Sequence, residues 1–325
     1  MHLVTGGAGF IGSNLVAALA ARGEEVLVVD RLRDGQKWRN IAKHRIAGIL
    51  PPDALPAFLT HAPKLTAVVN MGAISATTAT DGDLVAASNI TVPLLLWEHC
   101  AREGVPFLYA SSAATYGDGA QGFADDDSAA ALAALRPLNL YGWSKLAFDR
   151  CVADLLARGR AAPPQWAGLR FFNVYGPNEY HKGRMASVIF HTVRQIKATG
   201  GMKLFRSHRP DFTDGGQKRD FIYVKDVVDV LFYFLENKPA NAIYNLGTGQ
   251  ARTFLDLATN TFHALGLEPN ISFVDTPLDI RDTYQYFTEA DMGKVRAAGY
   301  TAPFCTLEAG IQDYVQHYLR EEIIW

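Results

Sequence analysis

The sequence predicts an α/β protein: a doubly wound, parallel sheet with a smaller mixed α/β lobe. Three observations lead there. A glycine cluster, Thr5-Gly6-Gly7-Ala8-Gly9-Phe10-Ile11-Gly12, lies between an apolar run and a helical stretch at the extreme N-terminus. Short apolar runs then alternate with helix-like segments, the pattern of a parallel sheet covered on both faces. Finally, Tyr141-Gly142-Trp143-Ser144-Lys145 opens a long helical segment just after one of those runs.

Each element follows from residue pattern. Met1 to Thr5 is short and apolar, as a buried parallel strand should be, and Ser13 to Arg22 has the alanine and leucine content of a helix. Glu25-Val26-Leu27-Val28-Val29-Asp30 is the second strand, ending on a carboxylate. Leu65 to Met71 is a third, followed by a helix over Ile90 to Arg102, a strand over Pro106 to Ala110, and a helix from Tyr141 to Ala157. Arg160-Ala161-Ala162-Pro163-Pro164 breaks the chain before a strand from Gly168 to Val174, and a further helix is expected over Met185 to Ala198. The expected division is a dinucleotide-binding unit over 1–168, with some later segments returning to it, and a mainly substrate-binding unit over 169–325. There is no internal repeat or low-complexity segment.

Strand, tight glycine turn and helix form an anion site by geometry. Glycine lets backbone approach a pyrophosphate, which then rests on the N–H groups and positive dipole end of the helix. A purely structural turn is the plain alternative, and Asp30 speaks against it by standing where a ribose would lie. That carboxylate suits a free 2′-hydroxyl and hence NAD, whereas Arg31, Arg33 and Lys37 just after it suit a 2′-phosphate or a solvated loop. NADP is the expected form, with NAD left open.

Tyr141 and Lys145 are four apart on a helix and share a face, so the ammonium is expected to favour the phenolate and make the tyrosine a usable base. Ser112, just past the strand ending at Ala110, is placed to hydrogen-bond a substrate oxygen. A Tyr/Lys pair at helical spacing is ordinarily a surface pair. The dinucleotide turn upstream and Ser111-Ser112 between them point instead to hydride chemistry on a hydroxyl group.

Composition narrows the class. The 325 residues are 49% apolar with a formal net charge of −2, enough for a large core and without the charge of a nucleic-acid binder. Cys100, Cys151 and Cys305 have no paired spacing, so neither a disulfide framework nor a metal site is expected. No apolar run is expected to reach membrane-spanning length, and a first strand starting at residue 1 leaves no room for a signal peptide. A cytoplasmic location is the expectation.

Gly6-x-x-Gly9-x-x-Gly12, Tyr109-Ala110-Ser111-Ser112-Ala113-Ala114-Thr115-Tyr116-Gly117 and Tyr141-x-x-x-Lys145 together resemble the extended short-chain dehydrogenase/reductase family, in its nucleotide-sugar branch, over essentially the whole chain. Three narrower segments are similar to the ADP-L-glycero-D-manno-heptose 6-epimerases of that branch: the stretch from Phe171 to Val188 containing His181-Lys182-Gly183, then Lys218-Arg219-Asp220-Phe221-Ile222-Tyr223-Val224, then Tyr284-Gln285-Tyr286-Phe287-Thr288. The resemblance implies a Rossmann-type sheet and an epimerase that oxidises C6 of an ADP-heptose to a ketone and reduces it again, supplying heptose for lipopolysaccharide core. It implies a homo-oligomer, specifically a pentamer. It also implies catalytic Ser112, Tyr141, Lys145 and Lys182, the last forming with Tyr141 a pair of acid/base groups. The cofactor contacts it implies are Gly6, Gly9, Phe10, Ile11, Gly12, Asp30, Arg31, Lys37, Met71, Gly72, Ala73, Ser75, Asn89, Tyr141, Lys145 and Val174. The substrate contacts are Ser112, Asn173, Lys182, Arg184, His191, Phe205, Arg206, Ser207, His208, Arg219 and Tyr284.

Bottom-up, inverting a carbinol through a ketone needs a proton handled in two substrate orientations, which two groups serve better than one. Lys182 read alone is equally suited to phosphate or solvent. Residues 182–219 carry nine Lys or Arg against two Asp, which a substrate diphosphate would explain, although Arg194 and Lys197 fit the exposed face of a helix. Two features depart from the resembled pattern: Arg184 in place of a serine, and a longer Arg209–Gln217 loop. Other readings are a 4-epimerase or dehydratase of the same fold and a non-catalytic dinucleotide sensor. Ala113-Ala114 after Ser112, in place of an Asp-Glu pair, argues against a dehydratase, and intact Tyr141 and Lys145 argue against a sensor.

Overall fold

A computed structural model describes residues 1–33, 35–281 and 285–325. Seven strands form one all-parallel sheet: β1 (His2–Thr5), β2 (Val26–Val29), β3 (Gly48–Leu50), β4 (Ala67–Asn70), β5 (Phe107–Ser112), β6 (Trp166–Phe171) and, after three strands that pair elsewhere, β10 (Ala242–Leu246). Their spatial order is β10-β6-β5-β4-β1-β2-β3. The intervening strands are β7 (Asn173–Tyr175), β8 (Met202–Phe205) and β9 (Lys218–Tyr223). β9 lies between β7 and β11 (Ala251–Thr253), and β8 pairs in parallel with β12 (Ile271–Val274).

Helices α1 (Phe10–Ala21), α2 (Leu55–Thr60), α3 (Gly82–Ala86), α4 (Val92–Glu103), α5 (Ala129–Ala134) and α6 (Leu140–Ala157) connect the first six strands. They are followed by α7 (Val188–Thr199), α8 (Val224–Asn237), α9 (Phe254–Leu265), α10 (Leu278–Arg281), α11 (Gly293–Ala297) and α12 (Leu307–Tyr314). The strands of the large sheet are nearly continuous apolar runs because helices cover both faces, and Leu3, Val4, Val28, Val68, Val69, Phe107, Leu108 and Leu169 are completely buried. A second core, around Ile189, Val224, Leu257, Ile311 and Tyr314, binds α7, α9 and α12 to the small sheet.

The expected alternation is present, with shifted boundaries that have local causes. α1 starts at Phe10, ahead of Ser13, because Gly9 is its N-cap. The strand expected over Gly168 to Val174 starts at Trp166 and divides at Phe172. There the Phe172 amide bonds Leu246 O in the large sheet at 3.0 Å while Val174 N turns back on Phe172 O at 2.9 Å, which sends β7 into the small sheet. β6 therefore crosses residue 168, and β10 returns from the later chain to pair with it. α7 begins at Val188 because the Ser187 side chain caps it, accepting Phe190 N–H.

One expectation needs correction. α3 and α4 join through a π-helical turn into one 22-residue helix, Gly82–Glu103, in which an 18-residue stretch with a mean hydropathy of 1.2 makes it long and apolar enough to span a membrane by length and composition. It packs along β4 and β5 and buries Leu96, Trp97 and Cys100 completely, so its apolarity serves the core. The sequence window looked shorter because Asp81 and Asp83 obscure the start; Asp81 is the N-cap and accepts Leu84 N–H at 2.9 Å.

Beneath the carboxyl edge of the sheet lies a buried ion pair. Arg170 on β6 donates to Asp149 on α6 at 3.0 Å, and both side chains are fully buried. Ser111 and Tyr109 on β5 also donate to Asp149, at 2.9 and 3.2 Å, and Arg170 reaches the Tyr116 hydroxyl at 3.1 Å. Burial pushes the Asp149 carboxyl up while Arg170 pulls it down. Removing one partner strands a buried charge, so Arg170→Met is expected to cost roughly 3–5 kcal/mol, whereas Asp149→Leu together with Arg170→Met should recover most of the loss. Urea unfolding of the two proteins checks this; a double variant no more stable than the single would contradict it.

Candidate active site

The turn after β1 brings backbone against backbone. A Cβ on Gly12 would stand 2.2 Å from Gly6 O, so only glycine lets α1 settle on the turn. Gly9 caps α1 without a side chain, and its first turn contains no acidic residue. The first-turn N–H groups, including those of Phe10, Ile11 and Gly12, therefore face outward with the positive end of the helix dipole. These residues fit a dinucleotide pyrophosphate on backbone geometry alone.

Asp30 closes β2 and is nearly buried. Its carboxylate accepts Ala8 N–H at 2.9 Å, Arg31 N–H at 2.7 Å and the Lys37 ammonium, so it braces the glycine turn and is itself charge-compensated. Arg31 turns its guanidinium to exposed Asp53 at 2.6 Å. At the end of β4, Gly72 N–H donates to Thr5 Oγ1 at 3.0 Å, which ties the Met71-Gly72-Ala73 segment to β1. Asn89 acts through that loop: its amide pairs with both backbone groups of Ile74 and donates to Ser144 Oγ at 2.9 Å. Ser75 beyond it is exposed and Val174 half-buried.

Ser112 and Tyr141 come together at the carboxyl end of β5, where a hydrogen bond from Ser112 acts on the phenol. Their meeting depends on Gly142. A Cβ there would lie 2.6 Å from Ala114 O, so α6 can approach the Ala113–Tyr116 turn only with glycine between Tyr141 and Trp143. The Asn139 side chain starts the helix by accepting Gly142 N–H at 2.8 Å.

The expected phenolate is corrected. Burial pushes the Tyr141 phenol above its ordinary range, opposed by Ser112. Lys145 directs its ammonium to the Ala110 carbonyl at 2.8 Å, and burial pulls it down to about 8, opposed by Asp149 one turn along. Helical spacing put the two side chains on one face, but depth of burial decided their charge.

Lys182 lies on a tight helical turn, Tyr180–Met185, with its Nζ 5.2 Å from the centre of the Phe10 ring, at the start of α1. Burial lowers its ammonium and Glu179 raises it. Neighbouring His181 is lowered to about 4 by burial and meets Asn40 at 3.3 Å. The Asn40 amide also donates to Ala8 O at 3.0 Å and Asn178 O at 3.1 Å, joining the Lys182 turn to the glycine turn.

The remaining expected contacts are distributed over the smaller lobe. Arg206 forms ion pairs with Asp214 at 3.8 Å and Asp275 at 3.5 Å; Ser207 Oγ donates to Arg209 O; and the His208 ring accepts Thr276 N–H. Phe205 ends β8 beside them. Arg219 donates to Lys218 O at 2.9 Å and to Gln285 O, and Gln285 Nε2 in turn donates to Gly117 O, connecting this lobe to the Ser112 turn. His191 packs edge-on to Phe190, while Asn173 and Arg184 are exposed. Tyr284 lies outside the described residues. Among the described residues no cluster of His, Cys, Asp or Glu could hold a metal ion.

Sequence reading passed over Asn40, Gly142, Glu179 and Gln285. A glycine inside a helix, next to a candidate base, was a readable sign of close approach. The other three are ordinary polar residues until the fold brings their partners to them.

Residues 2–247 match the NAD-dependent epimerase/dehydratase family. An ADP-L-glycero-D-manno-heptose-6-epimerase from Fusobacterium nucleatum is 47% identical, with 99% of each chain covered. The crystal structure of an ADP-L-glycero-D-manno-heptose-6-epimerase from Helicobacter pylori superposes with a TM-score of 0.79 at 28% identity, covering 97% of this chain and 95% of that one. A Thermus thermophilus UDP-glucose 4-epimerase in complex with NAD gives 0.76, also at 28% identity, over 99% of each chain.

The Lys145 shift makes a signed prediction for cofactor-free protein. Its folded-state value is depressed, so burial of the charged form opposes folding in full below about 8 and is relieved as pH rises toward the unfolded value near 10.5. Lys145→Met should therefore be more stable than wild type at pH 7, by roughly 1–3 kcal/mol. The gap should close between pH 8 and 10.5. Thermal melts across that window decide it, and a gap that stays constant would contradict it.

Proposed function

This chain belongs to the NAD-dependent epimerase/dehydratase family, and from that premise we propose that it inverts C6 of ADP-D-glycero-D-manno-heptose to give the L-glycero epimer, the heptose donor for lipopolysaccharide core. The observation that carries the reading is 47% identity over nearly the whole chain to a heptose 6-epimerase, against 28% to the UDP-glucose 4-epimerase. A nicotinamide cofactor held by the glycine turn would supply reversible hydride acceptance for the C6 carbinol.

The chain's own residues handle the proton. Burial keeps the Tyr141 phenol protonated and destabilises the Lys182 ammonium, so Tyr141 is suited to donate to the ketone oxygen and Lys182 to accept from the carbinol, with roles exchanged in the reverse sense. Ser112 hydrogen-bonds the reacting oxygen and Lys145 anchors the helix end at the sheet edge. C6 lies outside the pyranose ring, so inversion requires only rotation of a short arm between two bases, while Arg206 and Arg219 hold the diphosphate. The glycine turn with its uncapped α1, the Asp30 environment and Met71 to Ala73 hold the cofactor, and β7, β8, β9 and their loops hold the sugar nucleotide.

NADP is the proposed form. Asp30 is already engaged by two backbone amides and Lys37, which leaves it poorly placed to accept a ribose 2′-hydroxyl and gives a 2′-phosphate a cation beside it. We also propose a cytoplasmic homo-oligomer. An epimerase regains its hydride every cycle, so cofactor is not consumed. Protein purified without added nucleotide should release NADP on denaturation, identified by mass spectrometry; released NAD would reverse the cofactor assignment.

Incubation with ADP-D-glycero-D-manno-heptose should yield the L-glycero epimer by NMR, with UDP-galactose unchanged. Tyr141→Phe and Lys182→Met should each lose about 10²–10⁴ in rate with cofactor still bound. Efficient 4-epimerisation of UDP-galactose with the heptose untouched would overturn the assignment.

A further inference from the structure

Three residues before Lys182, Glu179 is a carboxylate with no exposed surface. Three donors point at it: the Ser187 amide, the Ser187 hydroxyl at 2.6 Å and the Tyr314 hydroxyl at 2.9 Å. The Ser187 amide can only donate, and both hydroxyls are directed at the same carboxyl, which is held as an acceptor inside the second core. Burial raises the Glu179 carboxyl above its ordinary range, and these donors oppose that shift. Lys182 is tied to this residue through the backbone, its N–H bonding Glu179 O at 2.9 Å, so both residues are fixed in the same tight turn.

We propose that Glu179 is the positioning residue of the reaction: through Ser187 and Tyr314 it fastens the Lys182 turn to the start of α7 and to α12, and so sets the surroundings in which Lys182 works. This deepens the reading of Lys182 as an acid/base group and rests on it. The fastening explains why a turn containing Gly183 at φ 53° holds a lysine over Phe10: Ser187 and Tyr314 grip one end through Glu179, and Asn40 grips His181. The other titratable groups around the pair are Tyr180 and His181 on the same turn, Tyr314 on α12, and Lys37, which acts on His181 from the loop after β2. Burial alone raises Glu179 and lowers Lys182, and each charge opposes that effect on the other. Removal of the carboxylate charge should therefore leave Lys182 easier to deprotonate.

Glu179→Gln keeps the volume and removes the charge. Trace acylation of Lys182 with acetic anhydride, followed by mass spectrometry across pH, reads its proton affinity without reference to turnover. At a fixed pH below the midpoint, Lys182 of the variant is expected to react about tenfold faster, equivalent to a shift of about one pH unit toward acid. The pH limb of kcat assigned to Lys182 should move with it, the Tyr141 limb should stay, and Glu179→Asp should restore part of the wild-type profile. Tyr314→Phe removes one of the three donors and loosens the same fastening, so it should also move the midpoint, and it serves if the glutamine variant does not fold. Unchanged acylation midpoints in the variants that fold would overturn the proposal. If instead Lys182→Met retained full activity while the midpoint still shifted, the acid/base role of Lys182 would fall and the pairing with Glu179 would stand.

Discussion

The contact on which the rest of the site depends is the backbone approach of α1 to the turn after β1, which only Gly12 permits. With no side chain between them, the helix start is left uncapped and its N–H groups become an anion seat. Other segments are then hung from the same few atoms: Asp30 and Asn40 hold the two backbone groups of Ala8, Asn14 on α1 reaches Pro177 O at 3.0 Å, and Phe10 carries Lys182. A shift of the turn would be felt in the later chain because the Asn14–Pro177 and Phe10–Lys182 contacts span more than a hundred residues. The glycine turn and the Lys182 turn are one mechanical unit.

On the other side of the site, burial decides charge. Below Tyr141, the charges of Lys145, Asp149 and Arg170 form a series in which each acts on the next. Arg170 and Asp149 neutralise each other at the bottom, Asp149 supports the charge of Lys145, and Lys145 spends its ammonium on a backbone carbonyl. The phenol above them is kept protonated by its surroundings. A binding event that changes the local charge or water content acts on a series already poised between forms.

Two cations of the smaller lobe, Arg206 and Arg209, are occupied by the chain itself. Arg206 is shared between Asp214 and Asp275, and Arg209 pairs with Asp211 while lying over Phe212 and Tyr286. A diphosphate that recruits Arg206 must draw it away from exposed carboxylates, which is an inexpensive exchange because solvent-facing pairs are worth little. The longer Arg209–Gln217 loop thus supplies temporary partners for the basic segment.

The sequence by itself determined the parallel sheet, the glycine turn, the Ser112/Tyr141/Lys145 constellation and the family, because all of these rest on local pattern: apolar runs, glycine spacing and helical periodicity. It also located Asp30 at a strand end. What only the tertiary structure decided is how those residues are charged and held. That Phe172 divides one apolar run between two sheets depends on an amide partner in Leu246, seventy-four residues later. That burial raises the Tyr141 phenol, that Asp30 is engaged, and that Glu179 ties the Lys182 turn to Ser187 and Tyr314 all depend on depth and on partners brought in by the fold. Spacing along a chain records neither depth nor distant partners, and those two quantities set the chemistry of the site.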